Sequence, residues 1–369
     1  LYDRALASDV VARHNARGRC TPTFGSFGGT TWPPACWHAY SSGTLFNTKI
    51  ASGAATWASS SAVVGWFNAQ GSGPLDWPLG YNGYTAPTYY GKATDPLYTL
   101  QRDPTTLDWG ATNQDGAQVR APVGLRPSTD PDDKLMAIVD QTTGKVHDFW
   151  NVVSVNDTTR VITFQWGGAY PVEGSGIGAT DAYAFESGFG TQYGYIRYSE
   201  LMAGSIDHAL HLVAPRVMNR LEPAVNTGGN FGGDDNPNDA LRPPPMGARL
   251  QLTLTDAQID AVTLGGQPAP WYYKVILRAA ARYGIFVSDE GDSPWGGLRV
   301  ESGYQYERLG QQNVWTRFAQ EQGIAATSGS FGSYPYLKFS QLKDASGQSV
   351  WRSLRVVAPS SYGYSDTLR

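Results

Sequence analysis

From about residue 45 onward the apolar residues come in short alternating runs, cut by Gly, Pro, Asn and Asp, and this rhythm constrains the fold most. Alternation with period two buries one face of a strand, and the interruptions are turn formers. KVHDFWNVV (145–153) and RVITFQW (160–166) flank an Asn156-Asp157 pair suited to a hairpin turn. In the second run Ile162, Phe164 and Trp166 share a face. IDHALHLV (206–213) and RLQLTL (249–254) alternate in the same way, which places Arg249 and Gln251 opposite Leu250 and Leu252.

Residues 270–283, PWYYKVILRAAARY, break this rhythm with apolar side chains at helical spacing, an opening Pro270 and a following Gly284. IFVSD (285–289) returns to a strand. No repeat of 20–50 residues occurs, which argues against propellers and solenoids. The expected class is mainly β, a β-sandwich or jelly-roll-like domain with a short N-terminal helix over 2–17 and an inserted helix near 270–283. Residues 1–44 form an N-terminal helix and loop segment, and 45–369 a single β-rich domain. The 226–245 stretch, NTGGNFGGDDNPNDALRPPP, is the longest without a pattern.

Charge excludes some functions. The chain has 28 Lys+Arg against 32 Asp+Glu, a net charge of −4, and so no electrostatic reason to bind nucleic acid. It has no apolar run long enough for a membrane span. Cys20 and Cys36, the only two cysteines, bracket a Gly/Pro/Thr-rich stretch and most simply form one disulfide, which would contribute about 3 kcal/mol. A metal site is the rival there, but no Cys-x-x-Cys is present and His38 is the only nearby imidazole. A first residue other than Met fits removal of a signal peptide. Together these features point to a secreted, extracellular protein.

Four constellations could carry chemistry. His208, beside Asp207, alternates in phase with Leu210 and Leu212, so it is either a core histidine or a base facing a site. His211 falls on the opposite face. Asp289 ends a strand in phase with Ile285 and Val287, and Glu301 closes the next run. An inward carboxylate at a strand end is costly unless it is paired or used, and a carboxylate pair is what glycoside hydrolysis requires. The competing reading of Asp-Glu-Gly-Asp (289–292) is a solvated turn. Asp133, Asp140 and Asp148 surround two further strands, where Asp148 precedes Phe149 and Trp150 in a possible sugar-stacking wall or an aromatic core. The loop Asp234, Asp235, Asn236, Asn238 and Asp239 could hold calcium, but its spacing is not that of a helix-loop-helix site. The serine-hydrolase elbow, phosphate-loop, dinucleotide and His-Glu-x-x-His patterns are all missing, so no other cofactor or metal is expected. Twelve Trp and 21 Tyr supply rings for sugar faces.

LFNTKI (45–50), GWFNAQ, DKLMAIVD with DFW, the GATDAYAFESGFGTQYGYIRYSELMAGSIDHAL stretch, PPMGARLQL and ILRAAARYGIFVSDEG occur in that order over most of residues 45–310. In these pieces the chain resembles a family of secreted, β-rich, actinobacterial-type proteins. The resemblance implies a single secreted domain and special roles for Asp140, His208, Arg249, Tyr283, Gly284 and Asp289. The chain departs from that pattern where DKLMAIVD lacks a histidine and where Glu290 follows Asp289.

The resulting expectation is a carbohydrate-active protein, a glycoside hydrolase acting on an extracellular polysaccharide. Asp289 and Glu301 form its carboxylate pair, with Asp140 among the candidate catalytic residues. His208 and Arg249 position or polarise, and Trp150, Trp295, Asp148 and Tyr283 contact substrate. The alternatives are a polysaccharide lyase with His208 or a Tyr as base and Arg249 on a uronate, and a non-catalytic glycan-binding or self-associating surface protein. An enzyme should gather two or more of Asp140, His208, Asp289 and Glu301 in one aromatic-lined cleft.

Overall fold

The computed structural model describes residues 23–69, 76–103, 105, 112–178, 182–226, 241–291, 296–329 and 331–369. Among these the protein is mainly β, with seventeen strands in four sheets and few helices. The expected 2–17 helix, Cys20, Trp295 and the 234–239 loop lie outside the described residues. No helix among the described residues is long and apolar enough to cross a membrane.

The larger sheet curls into a half-barrel. Its strands run in the order Thr88–Gly91, Met136–Asp140, Lys145–Asn156, Val161–Pro171, Leu97–Arg102 and Gln118–Arg120. The expected hairpin forms its centre, and Asn156 Oδ1 braces the turn by accepting from the N–H groups of Thr158 and Thr159. Alternation feeds two different cores. Tyr89, Met136, Ile138, Phe149, Ile162 and Phe164 fill one cluster, while Tyr90, Val139, Val146 and Tyr170 belong to the main core on the other side.

The five-stranded sheet has the order Gly297–Leu298, Leu210–Ala214, Ile285–Glu290, Arg249–Leu252 and Leu354–Val357. Leu210–Ala214 is buried at every position, as expected of a strand covered on both faces. It runs parallel to Ile285–Glu290, so the C-terminal ends of both strands lie at the same edge. The helix Trp271–Arg282 links Arg249–Leu252 to Ile285–Glu290 and packs Tyr272, Ile276 and Ala279 into the main core. Gly284 ends it at φ 84°, and a Cβ there would sit 2.8 Å from the Leu250 carbonyl oxygen, so both conformation and space call for glycine.

Three strand pairings are parallel (Thr88–Gly91 with Met136–Asp140, Leu97–Arg102 with Val161–Pro171, and Leu210–Ala214 with Ile285–Glu290), an arrangement that alternation alone does not reveal. Arg249, on the strand face opposite Leu250, is buried, with Nε donating to the Tyr283 carbonyl (2.9 Å) and Nη2 to the Thr48 carbonyl (2.6 Å). Its guanidinium lies over the rings of Phe286 and Tyr362. Arg249 and Tyr283 therefore fasten the end of the helix to the sheet.

Candidate functional site

Phe185 and Tyr195 join the two sheets, packing with Ala137 of the curled one and the adjoining Leu135, and against His211 of the five-stranded one. Asp289 occupies the C-terminal edge of the parallel strands. The register of its strand shifts between Val287 and Asp289, so Ser288 is bulged and the alternation that linked Asp289 to Ile285 and Val287 is broken. A bulge re-aims the side chain that follows it. Asp289 is half-buried, and one carboxylate oxygen faces the backbone N–H of Glu186 at 3.5 Å.

The facing group is Asp133, on the loop entering Met136–Asp140. Asp130 shapes that loop: its Oδ1 accepts from the N–H groups of Asp133 (2.7 Å) and Lys134 (2.9 Å), and its Oδ2 from Tyr84 N–H and Ser128 Oγ–H. The Asp133 backbone oxygen accepts from Asn151 N–H, and its carboxylate from Trp150 Nε1–H at 3.1 Å. Burial raises the Asp133 carboxyl to about 6, with Asp130 adding to the rise and the Trp150 donor opposing it. Burial likewise raises Asp289, to about 7, helped by repulsion from Asp133 and opposed by Arg299. Arg299 is buried with its guanidinium 3.8 Å from the centre of the Trp77 ring. Its Nη1 has no hydrogen-bond partner among the described residues.

Half-buried rings border the acidic loop. Tyr84 reaches Asp132 with its hydroxyl, and Tyr81 lies 6.2 Å from Tyr84, 5.0 Å from Phe331 and 5.4 Å from Tyr334. Trp150 packs edge-on against Trp166, which contacts Tyr183.

Glu301 is elsewhere. The Gly297–Leu298 strand pairs antiparallel with Leu210–Ala214, matching Gly297 to Val213 and Leu298 to Leu212, and the same register carries Glu301 to the level of Ala209. Asp289 is level with Val213. Four residues of strand separate the two levels, about 13 Å at 3.3 Å per residue. That exceeds the roughly 5–9.5 Å window of glycosidase carboxylate pairs. Asp289 and Glu301 are therefore not brought together; the carboxyl whose charge repels Asp289 is Asp133.

Glu301 and His208 do share a space, a small cavity with Trp37, Tyr90, Tyr193 and Arg197 in its wall. Burial raises Glu301 to about 7, although Tyr198 N–H donates to it at 2.7 Å. Behind this wall Glu200 is fully buried, accepting from Arg197 Nη2 (2.7 Å) and facing His208 Nε2 (3.1 Å to each oxygen). Burial alone would raise the Glu200 carboxyl, but Arg197 and His208 outweigh it and hold the group well below the usual carboxylate range.

Asp140, Asp148 and His211 are all fully buried. Asp140 is buried and caps a turn, accepting from Thr142 N–H and Oγ1–H, Thr143 N–H and Arg120 N–H. Asp148 is fully buried against Thr191, whose N–H (2.7 Å) and hydroxyl both donate to it; burial nonetheless raises it to about 7. His211 sits in the core among Tyr193, Tyr195 and Phe185, and burial pushes its ring well below the ordinary imidazole value.

Sequence reasoning missed Arg299, Asp130, Glu200 and Arg197. Only the Arg197-x-x-Glu200 spacing, which forms a capping box on the helix Tyr198–Ala203, left a readable trace. The chain matches no protein-family model, no curated protein and no solved structure.

Proposed function

We propose that this is a secreted carbohydrate-active hydrolase that cleaves glycosidic bonds of a neutral extracellular polysaccharide in the Asp133–Asp289 crevice. What carries the reading is a pair of half-buried carboxyls, Asp133 and Asp289, whose acidity burial weakens and which both feel the buried Arg299. Two such groups near neutral pH hold one proton between them, leaving one acid and one base. Asp289, with the higher value, protonates the leaving oxygen. Asp133, held by the Trp150 indole N–H, acts as the ionised base or nucleophile.

Tyr81, Tyr84 and Trp150 offer ring faces to the apolar side of a sugar. The acidic loop with Asp130, Asp132 and Asp133 repels uronates, which weighs against a lyase and for a neutral chain.

The test is a panel of soluble polysaccharides assayed for new reducing ends and for the ultraviolet absorbance of unsaturated products, with Asp289→Asn and Asp133→Asn alongside. Reducing ends on a neutral glycan, lost in both variants, support the proposal. Unsaturated products establish a lyase. Binding without turnover establishes a glycan-binding surface protein.

A further inference from the structure

The His38–Glu200–His208 cluster lies at the cavity that holds Glu301, not at the Asp133–Asp289 crevice, and so does not depend on the hydrolytic reading. One ligand atom from each residue falls within 4.8 Å of the others. His208 Nδ1 is 2.8 Å from the Ala209 carbonyl oxygen, which can only accept, so Nδ1 carries the hydrogen. In the neutral ring the Nε2 lone pair then points at the Glu200 carboxylate, 3.1 Å from both oxygens. A cation must then lie between the two electron pairs, either a proton on Nε2 or a metal ion. An Nδ1–H bonded to a backbone carbonyl is also the usual outer-shell support of a metal-binding histidine. His38 Nδ1 is 3.6 Å from Glu200 Oε1.

We propose that His38, Glu200 and His208 bind a zinc-class divalent cation, with its remaining coordination position open to the cavity. Tetrahedral zinc with bonds of about 2.0–2.1 Å sets neighbouring ligand atoms about 3.3–3.4 Å apart, and the observed 3.1 and 3.6 Å bracket that spacing. Two imidazoles and one glutamate are a ligand set of catalytic rather than structural zinc. Both imidazoles line the cavity, which Tyr90, Arg197 and Glu301 also border. Arg197 orients Glu200, its Nη2 on Oε1 and its backbone N–H on Oε2 at 3.2 Å, which leaves each oxygen a lone pair for the ion.

The experiment strips the full chain with chelator, dialyses it and titrates with Zn²⁺ by calorimetry, then with Co²⁺ by visible absorption. The expected result is one equivalent of Zn²⁺ bound, a chelator-reversible rise in Tm and the intense absorption of tetrahedral Co²⁺. His38→Ala, at a partly exposed ring, should keep its circular dichroism and lose at least about tenfold in Zn²⁺ affinity. Asp133→Asn should bind Zn²⁺ like the parent. No Zn²⁺ uptake by the parent chain, or octahedral Co²⁺ with His38→Ala unchanged, overturns the proposal and makes a proton on His208 Nε2 the bridging cation. The Co²⁺ spectrum of the parent decides the matter even if a variant fails to fold.

Discussion

Replacing Asp289 with Asn should abolish turnover and also make the protein more stable, by an amount that depends on pH. The Asp289 carboxyl moves from its ordinary 3.8 to about 7 on folding, because the crevice disfavours its charge and Asp133 repels it. The folded chain therefore holds this proton more tightly than the unfolded chain, and stability falls as pH rises from about 4 to about 7. About three pKa units at 1.36 kcal/mol each set a ceiling of about 4 kcal/mol on that loss. Asparagine removes the charge but keeps the shape. Some of the gain is returned because Arg299 loses a counter-charge, leaving about 2–4 kcal/mol at pH 8. For a domain of this size that amounts to several degrees in Tm, at about 2 °C per kcal/mol. The assay is calorimetry of both proteins across pH 4–8. The curves should converge near pH 4, where Asp289 is protonated in either state, and separate above pH 7 with the variant higher. A variant less stable at pH 8, or a gap independent of pH, would show that the Asp289 charge supports the fold through Arg299 and would refute the acid assignment.

Other outcomes follow from the same geometry. On a cleaved polysaccharide, kcat/KM should be bell-shaped with apparent values near 6 and 7 belonging to the Asp133–Asp289 pair. Trp150→Phe removes the N–H that favours ionised Asp133, so the acidic limb should move to higher pH while the basic limb stays; an unmoved profile would remove Trp150 from the site. Glu200→Gln leaves Arg197 buried without its counter-charge and should cost about 3–5 kcal/mol in denaturant unfolding. Because the Glu200 carboxyl is depressed on folding, its contribution is present above about pH 4 and is lost as pH falls further. Mass spectrometry of the non-reduced chain should show the deficit of one Cys20–Cys36 disulfide; two alkylatable thiols would exclude it.

The β class, the 145–171 hairpin and the 271–282 helix were legible because each rests on local periodicity and turn chemistry. The burial of Arg249 was not, since its strand is covered on both sides and a position opposite Leu250 in the alternation still leads into a core. Asp289 stood out as a carboxylate ending an apolar strand, but its partner did not. Glu301 is its nearer neighbour in sequence, whereas Asp133 arrives through contact between two sheets that no short-range pattern encodes. The Ser288 bulge adds to this, because parity counted along the strand fails one residue before the side chain that matters. Glu200 and His208 are eight residues apart, yet only the folded turn between them reveals the pair.

The curled sheet also bears on how the molecule breathes. Its strands are shared between two separate hydrophobic clusters, and a third small one, Leu135, Ala137, Phe185 and Tyr195 with Trp150 against it, lies at the seam by the crevice. Separate cores tend to open as separate cooperative units, each with its own free energy of exposure to solvent. Asp133 is tied through Trp150 to the small seam cluster, and Asp289 ends a strand of the main core. A sugar clasped by both carboxyls would couple those clusters and slow amide exchange in strands far from any contact with it.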